Sequence, residues 1–331
     1  IIILIKMEQK RVHSIAIDLL KVLAALMITN SHLKSFYVEP FTPLGTFGAP
    51  GNALFFFISG FTLSLGRFDS FTTWYKRRIQ RIFPTLLIWT ILLSPLLSGK
   101  QITLQSIWLA KSYWFIQCIM AYYILWWLIF KFLRKYLVPI IYVSIAISII
   151  SFIFIIPVTH DSIYIHEFHY ICFFSIFILG SYIALNRHDN EGKIINNVLL
   201  SFLYLVLFYF FQYIGKGKDG IMYYLQIISI IPLHLFIIHI YRMFSFDKIT
   251  SSIVRSKIFP LLKIIGNLTL EVYIVGFTLH IIPIEINKIF PLNIPIVILF
   301  VIVLALILKI CTKVFLNIVF NKPLDIKKIF Y

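Results

Sequence analysis

The sequence predicts an all-α, polytopic integral membrane protein with about ten transmembrane helices and with both termini in the cytoplasm. Three observations predict it. Of 331 residues, 60% are hydrophobic, and the mean hydropathy is +0.93; a soluble domain needs more polar surface than this chain has. The apolar residues collect in runs close to the roughly 20 that a bilayer crossing requires. The basic residues collect between the runs, as they do in cytoplasmic loops, so the net charge of +17 is read as topology and no nucleic-acid partner is expected.

The expected spans, in order, are 14–33, 52–67, 82–98, 113–131, 137–157, 168–186, 194–214, 221–242, 267–285 and 291–316. The second and third are short with arginines at their ends, which suits a tilted or re-entrant segment. With the N-terminus inside, the inner segments hold twenty-one Lys and Arg and the outer ones six, while Lys21, Lys309 and Lys313 fall within spans. That asymmetry supports the count and the orientation. It divides the chain into a cytoplasmic segment 1–13, a membrane domain 14–320 and a cytoplasmic tail 321–331, with no repeat or soluble domain visible. The N-terminal stretch lacks the apolar core and cleavage site of a signal peptide, and Met7 is a plausible start. Cys118, Cys172 and Cys311 have no metal or disulfide spacing and read as small buried hydrophobes.

The first span carries charge where lipid should exclude it. Lys21 and His32 are eleven residues apart, close to three full helical turns, so they share a face about 16 Å apart along the axis. Asp18 lies one turn before Lys21, placed to pair with it. Ionisable groups at such depth face a bundle interior or water and are functional candidates by default. At the inner face, "KRRIQR" supplies Arg77, Arg78 and Arg81, of which Arg78 and Arg81 share a helix face at i, i+3; positive-inside anchoring is the competing reading.

Other polar positions have plainer readings. Ser59 and Gly60 lack the setting of a nucleophile elbow and read as a close helix crossing. Trp108, Tyr113 and Trp114 read as interfacial anchors. Glu271 and Tyr273 in the ninth span are candidates for lining an interior cavity. His160, His166 and His169 with Asp161 and Glu167 are too irregularly spaced for a zinc site and read as a solvated loop, so no metal is expected. His234 and His239, five apart, read as polar packing.

Together these residues carry a family likeness. "IDLLKVLAALMITNSHL", then "GNALFFFISGFTLSLG" and "YKRRIQRIFPTLLIW", resemble the N-terminal signature of the acyltransferase family 3 membrane proteins, which O-acylate sugars of cell-surface polysaccharides. Lys21 and His32 fit that family's basic residue, ten positions and histidine; Arg78 and Arg81 fit its paired arginines before a proline, here Pro84. "SYWFIQCIMAYYIL" and "GNLTLEVYIVGF" are similar to its later segments, with Gly276 where many relatives have histidine, His280 one turn later, and Ala53 where some have Asp or Pro.

The resemblance implies a ten-helix O-acyltransferase of the bacterial cytoplasmic membrane. It would move an acyl group, expected to be acetyl from acetyl-CoA as co-substrate, with succinyl left open, to a hydroxyl of a cell-surface or lipid-linked glycan. His32 is then the base for the hydroxyl, suited by an ordinary pKa near 6.5. Lys21, held by Asp18, steers the donor, and Arg78 and Arg81 take the CoA phosphates through charge-assisted forks. Trp114, Glu271 and Tyr273 would line the acceptor site. Direct transfer and an acyl-enzyme relay both remain open. A rival class is a transporter or flippase for a lipid-linked sugar, using the same charges as a polar path.

Overall fold

A computed structural model describes residues 15–93, 113–155, 158, 161–164, 168–186, 193–280 and 289–320. Its helices are α1 (Ile15–His32), α2 (Gly48–Ser64), α3 (Phe71–Leu93), α4 (Trp114–Phe132), α5 (Leu137–Phe154), α6 (His169–Cys172), α7 (Phe174–Leu185), α8 (Ile194–Gly215), α9 (Gly220–Tyr224), α10 (Ile230–Phe244), α11 (Asp247–Arg255), α12 (Phe259–Asn267), α13 (Thr269–Phe277) and α14 (Asn293–Val319). No strand occurs among the described residues. In a bilayer that is expected, because a helix satisfies its own backbone.

Among the described residues, six stretches can cross a membrane by length and composition: Ile15–His32, Trp114–Phe132, Arg134–Phe154, Ile194–Gly215, Gly220–Phe244 and Asn293–Val319. A seventh arises if α12 and α13, bent by 63° at their junction, form one broken span. The structure therefore gives a polytopic membrane protein with six or seven candidate spans among the described residues, where the sequence predicts about ten over the whole chain. The shortfall has local causes. Helix α2 has 17 residues, α3 carries the basic cluster through its first half, and the run His169–Leu185 is short.

The chain divides into two compact units. One takes Ile1–Leu20, Ala53–Phe68 and Leu128–Arg255; the other takes Lys21–Asn52, Asp69–Trp127 and Ser256–Tyr331.

Within the first unit, α8 packs along α10, and α5 along α7. Small residues set its tightest crossing: a Cβ on Gly60 would lie 1.8 Å from the Phe177 carbonyl oxygen, and one on Gly180 would lie 2.0 Å from that of Phe57. Ser181 Oγ donates to the Gly60 carbonyl at 3.1 Å. The "ISGF" block is thus a packing device, as expected.

Several polar residues of this unit satisfy one another. Gln212 Nε2 donates to Ser229 Oγ at 2.8 Å, and Ser162 Oγ donates to Gln212 Oε1 at 2.6 Å. Gln226 Oε1 accepts from the Ile163 amide, while its Nε2 donates to the Asp161 carbonyl. His234 bonds Ser175 Oγ and the Ile230 carbonyl, both at 2.8 Å, and His239 bonds Asn197 Oδ1 at 2.8 Å. Both histidines are polar packing. His169 opens α6 and is buried, unlike a solvated loop residue. His160, His166 and Glu167 lie outside the described residues; among those described, no three His, Cys, Asp or Glu gather to hold a metal.

Within the second unit, α3, α13 and α14 pack against one another. Helix α14 turns Val297, Val301, Ala305, Leu308 and Thr312 inward, a stripe at helical spacing. Every candidate site residue except Asp18 belongs to this unit.

Candidate active site

The site begins at a broken helix. Residues 259–277 could be one span, but the chain bends at Leu268 between α12 and α13. Such a break leaves carbonyls at the end of one helix and amides at the start of the next, with partial negative and positive charge respectively. Both ends receive a side chain of the matching sign. Lys309 Nζ from α14 donates to the Asn267 carbonyl, and Glu271 stands in the first turn of α13.

Around this break the charges converge. Glu271 interacts electrostatically with Lys309, Arg81 and Lys313, and Lys309 interacts with Lys21 as well. Three cations, from α3 and α14, thus act on one carboxylate from α13, and a fourth, Lys21 of α1, acts on Lys309. Glu271 is only 7% exposed, and its Oε2 has no hydrogen-bond partner among the described residues. Lys21, Lys309 and Lys313 are half-buried, and Arg81 is exposed.

Toward the other end of α13 the lining turns aromatic. The His32 ring, in the last turn of α1, meets Phe277 edge-on at 5.9 Å between centroids. Phe277 lies 4.8 Å from Tyr113, whose hydroxyl donates to the Ile274 carbonyl at 3.5 Å. Tyr273, buried, packs on Phe115 at 5.0 Å, and the half-buried Trp114 meets Phe115 edge-on at 6.0 Å. A Cβ on Gly276 would sit 3.7 Å from Thr29 Oγ1, so this position faces α1 one turn below His32. Alpha-helical rise puts about 9 Å between the levels of Glu271 and Phe277.

The segment after α1 is held over its end. Asn30 Nδ2 donates to the carbonyls of Leu44 at 2.7 Å and Thr46 at 3.2 Å, and Tyr37 donates its hydroxyl to Asn30 Oδ1 at 2.6 Å. Asn293 Nδ2, at the start of α14, donates to the Phe36 carbonyl at 2.7 Å. Burial pushes the Tyr37 hydroxyl above its ordinary value, so it stays neutral and keeps this bond.

The sequence-predicted residues therefore separate into groups. Lys21, Arg81 and Glu271 come together in the charged cluster; His32 and Tyr273 stand along the aromatic stretch with Trp114 at its edge. Arg78 lies over the Trp74 ring at 4.9 Å, which fixes the plane in which its N–H groups point. Arg77 pairs with Asp69 at 2.5 Å and is a surface ion pair. Asp18, buried in α1 one turn before Lys21, belongs to the other unit. Tyr113 is buried beneath α13 instead of anchoring at an interface, because its ring fills the space between Phe277 and Tyr273. Trp108 and the side chain of His280 lie outside the described residues.

Sequence reasoning missed Lys309, Lys313 and Asn30. Two lysines four apart in an otherwise apolar run were a usable signal, since such residues seldom face lipid. Asn30 carried none.

A cationic cluster of this kind can hold an anion, and a half-buried imidazole can accept a proton. Comparison with known proteins agrees with that chemistry. The acyltransferase family 3 model, described as an acyltransferase domain, matches residues 14–312. No curated protein and no solved structure matches the chain. With the match spanning nearly its whole length, the chain belongs to acyltransferase family 3.

Proposed function

We propose that this protein is an O-acyltransferase of the bacterial cytoplasmic membrane, moving an acetyl or related acyl group from acyl-CoA to a hydroxyl of a cell-surface or lipid-linked glycan. Both termini are then cytoplasmic and about ten segments cross the bilayer, the short helices included. Membership of the family supports acyl transfer. The observation that carries the reading is the arrangement along α1: Lys21 joins the cationic cluster, while His32 stands at the other end of the same helix face.

In the reaction, the CoA phosphates bind Arg81 and Arg78, with Lys21 steering the donor and Asp18 holding the lysine. The thioester, at the far end of the flexible CoA arm, reaches the level of His32. The imidazole takes the proton of the glycan hydroxyl as its oxygen attacks the thioester carbonyl. Collapse of the tetrahedral adduct breaks the C–S bond, and the CoA thiolate recovers the proton from the imidazolium. Trp114 and Tyr273 offer faces for the sugar ring, and Glu271 a carboxylate near the donor's cations.

Membranes incubated with radiolabelled acetyl-CoA and candidate glycans test the reading. Label in the glycan, lost in His32→Ala and reduced in Arg81→Ala at equal protein levels, supports it; label unchanged in His32→Ala removes His32 from the mechanism.

The broken span favours a second reading, since discontinuous helices with charges at the break mark substrate sites of transporters. The two separate in detergent. Acyl transfer needs no sealed compartment and persists in micelles, whereas transport of a lipid-linked sugar does not.

A further inference from the structure

Two neighbouring arginines of α3 are held by different chemistry. Arg77 is matched by the Asp69 carboxylate. Arg78 lies one turn after Trp74, with its guanidinium carbon 4.9 Å from the centroid of the Trp74 ring. A carboxylate takes up N–H donors and offsets the charge, whereas a ring face attracts the cation through its quadrupole and takes no N–H. The Trp74 contact therefore orients Arg78 without offsetting its charge.

Trp74 is itself fixed. It is fully buried, the Trp126 ring of α4 stacks on it at 5.4 Å and 12°, and Tyr123 of the same helix meets it edge-on at 6.0 Å and 79°. Two rings three residues apart on one helix face thus set the plane of the indole. Packing alone does not account for an indole here. Its Nε1 is buried with no acceptor among the described residues, a cost that phenylalanine would avoid. By contrast, Trp127 Nε1 donates to the Asp69 carbonyl at 3.2 Å, so that indole is used for its N–H. What Trp74 offers beyond phenylalanine is its electron-rich face, the best of the aromatic side chains for a cation.

We propose that Trp74 is a positioning residue for the acyl donor: set by Trp126 and Tyr123, it holds the Arg78 guanidinium in the orientation that takes a phosphate of acyl-CoA. This role rests on the proposed function, in which Arg78 binds the CoA phosphates. A guanidinium oriented in advance loses less freedom when the donor arrives, so the contact strengthens donor binding and leaves the chemical step at His32 alone.

Calorimetric titration of the purified full chain in neutral detergent, with CoA as the probe, tests it. Trp74→Leu should weaken CoA binding roughly fivefold and Trp74→Phe about twofold, the order in which the cation loses its ring. The leucine change should have no effect in an Arg78→Ala background and its full effect in an Arg81→Ala background. Should Trp74→Leu fail to fold, fluorinated tryptophans placed at position 74 decide, because fluorine draws electrons from the ring face at nearly unchanged shape. Affinity for CoA should then fall with each added fluorine while the melting midpoint holds.

A folded Trp74→Leu that binds CoA like wild type, or an affinity that ignores fluorine, overturns the role of Trp74 and leaves the donor reading standing. A loss that persists undiminished in the Arg78→Ala background does the same, since it then acts through packing. Wild type that binds no CoA overturns both.

Discussion

Each unit of this protein gathers a set of polar side chains, and the two sets are built on different terms. In the first unit, Gln212, Gln226, Ser229, Ser162 and Tyr164 are neutral and bond one another. Burial pushes the Tyr164 hydroxyl well above its ordinary value, so it too stays uncharged. In the second, Arg81, Lys309 and Lys313 act on Glu271, Lys21 acts on Lys309, and one Glu271 carboxylate oxygen has no donor among the described residues. A neutral, closed network joins helices and loops and needs nothing more. A charged, unequal one is costly in an apolar setting, and its persistence is the mark of a site. Amount of buried polarity does not tell the two apart. Balance does.

The comparison can be broken most sharply at His32. Replacement by Ala should lower acyl transfer by about 10²–10⁴-fold, the range for loss of a general base, with membrane insertion unchanged by protease mapping. Next in size is Gln212→Leu. It strips partners from Ser162 and Ser229 and should destabilise the fold by about 1–3 kcal/mol, measured by melting in detergent. Its gap from wild type should persist in high salt. Glu271→Gln should lower the midpoint less, since the lost carboxylate leaves the cations repelling one another, and added salt should narrow that gap by screening them. If salt treats both variants alike, the distinction between the two sets fails. The smallest effect is expected for Tyr164→Phe, about 1 kcal/mol for one neutral hydrogen bond to Ser229 at 3.2 Å.

Much of this could be read from the chain in advance. An eleven-residue interval places Lys21 and His32 on one face whatever surrounds them, because helical geometry is local. Gly60 was legible as a packing residue because a small residue in an apolar span has few other uses, and it lies against the Phe177 backbone. The family resemblance was carried by residues of the same kind, short motifs in order on successive helices, and the match over 14–312 bears it out. The count of spans was less legible. Hydropathy finds apolar runs, but helices α2 and α3 and the run His169–Leu185 fall short in length or apolar character.

What escaped the sequence depended on where the chain returns. Lys309 lies 288 residues beyond Lys21, and nothing in either neighbourhood announces the other. Tyr113 looked interfacial because aromatic residues at span ends usually are, and packing under α13 made it internal. The break at Leu268 has no Pro or Gly at the bend itself to foretell it, only Gly266 shortly before.

By itself the sequence determined the class of solvent, the helical class, the family, and the face shared by the amine and the imidazole of α1. These follow from composition and from a fixed rise and turn per residue. Tertiary structure alone decided that α1, α3 and α14 bring cations from distant parts of the chain to the broken helix of α12 and α13, since the energy of a charge depends on its neighbours in space rather than along the backbone.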